Sequence, residues 1–351
     1  MTGRQAQRAG ENSVQVQSSG DVHIGVSEER AREIVEATAR SIIDEYANEG
    51  LILIQERITK LDDRVIASLI RAGRLEVFAD PGFQRAYKKA QTGAAVSEED
   101  RDYDLLAGLL ADRAERGEDR RVRAGIERSI EVIDQLDDES LRGLTLFQAV
   151  QQYRPLSPLL EEGLDAMEVL LGQLVDGPLP AGQDWLDHLD VLDALRVDRV
   201  SSLKKLRDYF PYQMPGYLAS GREKDNLQIS IELNGQPVFV NGALVDHELR
   251  PGHVRLAAAH DDTLERTLSA YSPQARAEVI AQGTGSFGFG SVDPSLIDPY
   301  MERLLLRPNL KLIAAWWDEI PHSVRLTRVG RVLARANALR LDDKGVLPPI
   351  D

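Results

Sequence analysis

The hydrophobic pattern opens with a short alternating stretch and continues into a very long helical one. Residues 13–25 alternate apolar and polar side chains between glycines, which predicts two short β-strands joined by Ser18–Gly20. Across residues 27–75, apolar side chains recur every three or four positions without a proline, which predicts one long helix. Gly50 and residues 59–63 are the places where this helix could break.

Both elements predict self-association. An isolated two-stranded hairpin is marginally stable in water, and about 45 helical residues would span roughly 65 Å, more than a small domain needs. The alternative for the strands is a flexible tail or an edge hairpin docked on its own domain. The apolar residues assigned to self-association are Val14, Val16, Val22, Ile24, Ile34, Ile42 and Ile43.

The rest of the chain predicts helix after helix, with one β-rich interruption. Ser97 is predicted to cap a helix at Glu98–Arg116, Asp119 and Asp137 to begin two more, and Trp185–Leu195 to form a further one. Alternation after Leu227, with Asn-Gly at 234–235 and again at 241–242, predicts hairpins, and His253–Leu256 could add a third strand. Near the C-terminus, Ser323–Leu326 is predicted as a closing strand before a final helix.

The predicted fold class is mainly α: an elongated multi-helix protein with a short N-terminal β motif and a small β-meander in its C-terminal half. Its predicted segments are an oligomerisation motif at 1–26, a long helix at 27–75, a helical bundle at 76–220, a small β-rich segment at 221–262 and a C-terminal helical region with a closing strand and helix at 263–351.

Composition narrows the classes of function. The formal net charge of -15 opposes general nucleic-acid binding, because affinity for phosphate comes from neutralising it. The chain has no cysteine, which excludes disulfides, thiolate nucleophiles and cysteine-based metal sites. The sequence shows neither a signal peptide nor a run of about 18 apolar residues. We therefore expect a cytoplasmic protein that does not bind membranes.

One histidine-rich region is a candidate divalent-metal site. Its proposed ligands are His247, His253, His260 and Asp261. Imidazole and carboxylate are suitable ligands, but spacings of six and seven residues match no motif with a known mechanism. The alternative is that these are solvated turn residues. No other cofactor is expected, and no residue is assigned a catalytic role.

Three further segments carry weaker signals. Gly283–Gly288 matches G-x-G-x-x-G, but a helix rather than a strand precedes it, which favours a flexible loop with Phe287 and Phe289 exposed over a nucleotide site. The acidic ladder at 184–193 predicts either the wet face of a helix or a site for a metal or a basic partner. Residues 209–217, rich in aromatics and prolines, predict a turn packed into the core or a recognition loop.

The closing segment 324–341 has the order strand, Thr cap, helix. The Leu-Thr-x-x-Gly turn within it is common at the end of winged-helix domains. A DNA-binding regulator is therefore one interpretation. The other is a closing strand–helix unit docked on the small sheet.

Four segments together resemble an uncharacterised bacterial family. Residues 10–24 resemble its GDNS…Q…GGDV.I opening and Phe78–Ala86 its F.DP..Q.A segment. Residues 104–113 resemble its LL..LL.DR helix, and Leu326–Gly330 its closing LT.VG. The resemblance implies no activity and no catalytic residues. Similar strand motifs at the ends of proteins in bacterial conflict and antiphage systems imply assembly and a defence role.

These observations favour a non-enzymatic, homo-oligomeric scaffold or sensor, whose partners are its own copies and an unidentified protein. Two alternatives stay open. One is a metal-dependent hydrolase or nuclease that uses the histidine-rich region, and the other is a winged-helix-like transcriptional regulator.

Overall fold

The computed structural model describes residues 28–224, 230–233, 236–239, 241–342 and 345–348. The predicted N-terminal strands, with Val14, Val16, Val22 and Ile24, lie outside the described residues. The chain forms two units, residues 1–56 and residues 57–351, which are described separately below.

The described residues are mainly α-helical with a few short antiparallel strands, which confirms the predicted class. The helices are α1 Glu28–Ala72, α2 Pro81–Val96, α3 Asp100–Arg116, α4 Arg120–Val132, α5 Asp138–Gln152, α6 Leu160–Gly172, α7 Asp184–Val191, α8 Leu206–Tyr209, α9 Asp261–Thr267, α10 Pro273–Ser286, α11 Ile297–Leu305, α12 Pro308–Glu319 and α13 Arg328–Leu341. The strands are β1 Leu195–Asp198, β2 Arg222–Glu223, β3 Ser230–Leu233, β4 Gln236–Phe239, β5 Leu244–Asp246, β6 His253–Leu256 and β7 Ser323–Leu326. None of the described helices combines the length and the apolarity needed to cross a membrane.

The long helix forms as the periodicity predicts. α1 runs for 45 residues without the breaks considered at Gly50 and residues 59–63. In the second unit, Leu61, Val65 and Leu69 are fully buried. Their spacing of four places them on one side of the helix, where they join the core.

The core of the second unit contains residues from both the beginning and the end of that unit. α13 packs against α3, α4 and α5, so the C-terminal helix shares one hydrophobic cluster with the bundle predicted at 76–220. Thr327 caps α13 as predicted, because its hydroxyl accepts the backbone N–H of Gly330. Gly330 lies so close to the residue before β1 that a Cβ there would be 2.0 Å from the Ala194 carbonyl oxygen.

The helix starts predicted at aspartates are confirmed, and one predicted at a serine is wrong. Asp119 caps α4, and Asp137 caps α5. Ser97 instead follows the end of α2, and its hydroxyl donates to the Asp102 carboxylate while Glu99 precedes α3. A serine one or two residues before a helix looks the same in sequence whichever residue forms the cap.

The strands form three sheets rather than one meander. β3 and β4 form the predicted hairpin, but β6 pairs with β2 and β5 in a separate sheet. The expectation that His253–Leu256 would extend the hairpin is therefore wrong. Alternation identifies a strand, but it does not select the partner that provides hydrogen bonds.

The closing strand pairs with a strand that the sequence did not indicate. β7 is antiparallel to β1, with Leu195 opposite Leu326 and Asp198 opposite Ser323. The prediction that the closing unit docks on the small β-rich sheet is thus wrong. The predicted helix to Leu195 stops earlier because Asp193 takes a positive φ of 61°, which reverses the chain into β1.

The prediction of a flexible glycine-rich loop with exposed phenylalanines is wrong, because this segment packs into a second hydrophobic cluster. Gly283 and Gly285 belong to α10, and Phe287 and Phe289 are both 3% exposed. The chain turns back at Gly288, whose φ is +66°, and this turn carries both rings beneath the β5–β6 sheet.

The aromatic segment at 209–217 packs into the core, as one of its two interpretations predicted. Tyr209 stacks on Trp317, which stacks in turn on Phe147, with ring centroids 5.3 Å and 4.9 Å apart. Tyr217 is fully buried. These rings stabilise the contact between α5, α8 and α12.

Candidate functional site

The most distinctive surface of the first unit is an apolar face on α1. Nine large apolar side chains between residues 34 and 54 are each 40–67% exposed. We call this set the apolar face; its members are Ile34, Val35, Ile42, Ile43, Tyr46, Leu51, Ile52, Leu53 and Ile54. It contains the predicted assembly residues that the structure describes. Exposed apolar residues are usually scattered singly, so nine along one helix segment make this stretch a candidate interaction surface.

Helical spacing aligns the first part of this face into a stripe. Val35, Ile42 and Tyr46 fall at i, i+7 and i+11, which places them on one side of the helix. Glu36, at i+1 from Val35, begins the polar side. Leu51 to Ile54 then place four apolar residues in succession, so the apolar surface surrounds the helix there.

The charge around the apolar face is acidic. Residues 28–56 contain eight carboxylates and three arginines, and no lysine. The arginines, Arg30, Arg32 and Arg40, all lie in the first half of this stretch. Two of them pair within the helix, Arg30 with Glu33 at 2.8 Å and Arg40 with Glu36 at 4.0 Å. Helices that lie on anionic membranes instead carry an excess of lysine and arginine.

The structure brings His247 and His253 together through the backbone, since the N–H of His247 donates to the carbonyl oxygen of His253 at 2.9 Å, but the candidate imidazoles have different partners. His247 Nε2 lies 2.8 Å from the carbonyl oxygen of Ala219, and His260 Nε2 lies 3.2 Å from that of Pro155. His253 Nδ1 lies 3.4 Å from its near neighbour, the Pro251 carbonyl oxygen.

Asp261, the remaining candidate, is exposed in the first turn of α9. Across the described parts of the chain, no group of three or more histidines, aspartates and glutamates is arranged to hold a metal ion. The metal hypothesis gains no geometric support from these positions.

Burial changes the acid–base behaviour of two of these histidines. Loss of solvent lowers the pKa of His247 below the ordinary histidine value, and the positive charge of Arg255 lowers it further. Burial likewise lowers the pKa of His260. Both imidazoles are therefore neutral hydrogen-bonding groups within the fold at neutral pH.

The same region contains a buried ion pair that the sequence did not predict. The Arg255 side chain is fully buried, and its guanidinium donates to both carboxylate oxygens of Glu248, at 2.8 Å and 2.9 Å. It also donates to the Pro158 carbonyl oxygen and lies over the Tyr217 ring, 5.1 Å from the centroid. Glu248 in turn accepts the backbone N–H of Leu160 at the start of α6. This pair joins the β5–β6 sheet to the helical core.

The acidic ladder of α7 faces solvent and pairs with arginines. Asp187 lies 2.7 Å from Arg199, and Asp190 lies 3.1 Å from Arg196. Asp193 also contacts Arg196, at 2.6 Å. These contacts agree with the wet-face interpretation of the ladder.

The C-terminal helix proposed for DNA recognition uses much of its surface in packing. Val329, Leu333 and Asn337 are buried, and the Asn337 amide donates to the Thr145 hydroxyl in the core. Three arginines of the strand–helix unit are exposed: Arg325, Arg328 and Arg331.

A cavity of about 340 Å³ lies between the second half of α1, α3 and α13. Its lining includes the small residues Ala67 and Gly108 as well as Arg64, which pairs with Asp104 at 2.6 Å. The cavity has the size of a small-molecule site.

Comparison with known proteins gives one family match. No curated protein and no solved structure matches the chain. A protein-family model matches residues 25–343, and its description names no activity, ligand or partner. The segments at Phe78–Ala86, 104–113 and Leu326–Gly330 lie within the matched range, whereas residues 10–24 precede it. The chain therefore belongs to this family, whose model covers most of its length.

Proposed function

We propose that the chain acts as a homo-oligomeric scaffold or sensor that assembles through the apolar face of α1. The observation that carries the proposal is the run of nine exposed large apolar side chains between residues 34 and 54. Assembly is the event that would remove them from water.

The energy available from this face is large enough to drive association. Burying a large apolar side chain completely is worth about 1.5–3 kcal/mol, so burying the exposed half is worth about 1 kcal/mol. Burial of all nine would contribute roughly 10 kcal/mol per chain, which is an upper bound for a pair because residues 51–54 surround the helix. Association costs about 4–15 kcal/mol in lost freedom of motion, so two copies in contact can exceed this cost.

A second copy of the chain in antiparallel orientation is the occupant that we propose. All three arginines lie before residue 41, and the second half of residues 28–56 carries carboxylates alone. A parallel pair would place the two wholly acidic halves together. An antiparallel pair centred near Asp44 places Arg32 near Glu56 of the other copy and lets the two faces meet in a two-fold interface.

The centred antiparallel pair makes specific residues neighbours. Val35 of one copy lies opposite Leu53 of the other, and Ile42 lies opposite Tyr46. Each of these four side chains is exposed in the single chain. A membrane surface is the less suitable occupant, because this stretch of α1 has an excess of carboxylates and anionic lipids repel them.

Cysteine cross-linking tests the arrangement, since the chain has no cysteine of its own. A disulfide needs Cα atoms about 4.4–6.8 Å apart. The double variant Val35→Cys with Leu53→Cys should form a covalent dimer on mild oxidation. The two positions are about 27 Å apart along one helix, so no bond can form within a chain.

The single variant Val35→Cys distinguishes the orientations. It should stay largely uncross-linked in an antiparallel pair and should form dimers readily in a parallel one. Val191→Cys, at a highly exposed position of α7 in the second unit, is the matched control. If the double variant cross-links no better than this control, the apolar face does not pair with itself.

A further inference from the structure

A polar cavity of about 460 Å³ lies where the start of α2, the end of α3 and the start of α4 meet. We call it the arginine pocket. Its charged lining residues are Arg85, Arg113, Arg120, Arg123, Asp80 and Glu127. Four guanidinium groups against two carboxylates give the pocket an excess of positive charge in a chain whose net charge is -15.

Arg113 is the buried centre of this pocket. Its side chain is only 6% exposed, and its Nε has no hydrogen-bond acceptor within the described structure. Its carboxylate contacts are long, 3.5 Å from Nη2 to Asp80 and 3.9 Å from Nε to Glu127. Ordinary N–H···O bonds are 2.7–3.2 Å long. The guanidinium therefore retains donor capacity in a place where an unpaired buried donor is costly.

The other arginines are also weakly engaged. Arg85 lies 3.7 Å from Glu127, and Arg123 donates to the Gly117 carbonyl oxygen. For Arg120 the described residues supply neither a hydrogen bond nor an ion pair. The Asp80 carboxylate, in contrast, is committed to capping α2 through the backbone N–H groups of Gly82 and Phe83.

Two glycines shape the pocket around Arg113. A Cβ at Gly117 would be 2.1 Å from the Arg113 Nη1 atom, and one at Gly82 would be 3.2 Å from Nη2. Any side chain at Gly117 would displace the guanidinium. Asp80 and Gly82 belong to the F.DP..Q.A segment and Arg113 is the last residue of the LL..LL.DR motif, so two separate sequence segments meet at one site.

We propose that the arginine pocket binds the phosphate group of a phosphorylated small molecule. Phosphate oxygens match the fork of donors on a guanidinium and accept two parallel hydrogen bonds from it. Arg113 supplies the buried fork, and Arg120, which is exposed, supplies an unengaged cation in the lining. The cavity is larger than one phosphate ion, so it accommodates an organic group attached to the phosphate.

Thermal unfolding of the full chain with inorganic phosphate tests this site directly. Phosphate should raise the Tm more than sodium chloride at equal ionic strength, because a ligand that binds the folded state stabilises it. Arg120→Ala removes a side chain with no partner in the described structure, so the variant should fold normally. We expect its half-maximal phosphate concentration to rise about tenfold, as for loss of one charge-assisted hydrogen bond.

Arg222→Ala is the matched control, because Arg222 is an exposed arginine of β2 far from the pocket in sequence. It should keep the wild-type response to phosphate. Arg113→Lys keeps the charge but loses the fork, so it should also weaken the response while circular dichroism shows an intact fold. An equal phosphate response in Arg120→Ala and Arg222→Ala, or none in the wild type, would overturn the proposal. The mass of the protein, measured in parallel, separates this result from any change in assembly.

Discussion

Replacing Ile42 by alanine removes its Cγ and Cδ carbons from the middle of the apolar face. Full burial of these carbons would be worth about 2.4 kcal/mol, at about 0.8 kcal/mol each. Ile42 is 42% exposed in the single chain, so assembly can bury about two fifths of this group, or about 1 kcal/mol per chain. A two-fold interface contains the residue twice, which gives a loss of about 2 kcal/mol and a Kd about 30-fold higher.

Sedimentation equilibrium over a dilution series measures this change. The substitution should leave the single chain folded, because alanine has the higher helix propensity and the removed atoms are partly exposed. Leu306→Ala is the matched control. Leu306 is 74% exposed and lies in the second unit, immediately after α11.

The two variants together decide whether the face acts in assembly. A Kd for Ile42→Ala within about threefold of the wild-type and Leu306→Ala values would refute the reasoning, since a loss of 2 kcal/mol lies well outside that range. Raising the salt concentration should strengthen assembly of the wild type, because both copies carry an excess of carboxylates on this helix.

Three further predictions concern the second unit. Glu248→Gln should lower the free energy of unfolding by about 3–5 kcal/mol in urea titrations, because it leaves the buried guanidinium of Arg255 without its counter-charge; a loss under 1 kcal/mol would contradict a structural role for the pair. Gly330→Ala should destabilise the protein by more than about 2 kcal/mol through its clash with the Ala194 carbonyl oxygen. Gly285→Ala, in open space on α10, should instead stabilise it by about 0.5–1 kcal/mol, and equal Tm values for the two variants would disprove the close approach. Stability should fall as the pH drops below 6.5, because the unfolded chain then binds a proton that buried His247, with its lowered pKa, does not. In urea titrations at pH 7.5 and 5.5, the free energy of unfolding of His247→Gln should fall less between the two pH values than that of the wild type. An equal fall in both proteins would count against His247 as the origin of the pH dependence.

Local signals explain what the sequence predicted correctly. The long helix follows from uninterrupted spacing of apolar residues, and the caps at Asp119, Asp137 and Thr327 follow from short-range hydrogen bonding. None of these features depends on a distant part of the chain. The mainly α class follows from them.

Pairing between segments that lie far apart in the chain could not be predicted from the sequence. β1 resembles the end of a helix in its pattern and becomes a strand because β7, more than 120 residues later, supplies its partner. Arg255 occupies a polar place in an alternating strand, yet a carboxylate from the preceding turn and a tyrosine ring allow it to be buried. The two phenylalanines after α10 are buried because the chain turns back at a glycine. The hydrophobic periodicity of the sequence does not indicate the direction of that turn.

The candidate sites also differ in whether they can be predicted from the sequence. The apolar face of α1 can be predicted from the sequence, because it depends on helix periodicity alone. The arginine pocket is not, since its residues come from three helices and are scattered between positions 80 and 127. The imidazole rings of the three histidines, which are close in sequence, have different hydrogen-bond partners in the fold.

The mass of the full chain in solution tests assembly through the apolar face most directly. Light scattering coupled to size exclusion, at micromolar concentrations, should give a multiple of the 39.0 kDa chain mass. A variant carrying Ile42→Glu and Tyr46→Glu should return to 39.0 kDa with its helical circular dichroism retained. A wild-type mass of one chain, or an assembled mass that the double variant leaves unchanged, would contradict the account.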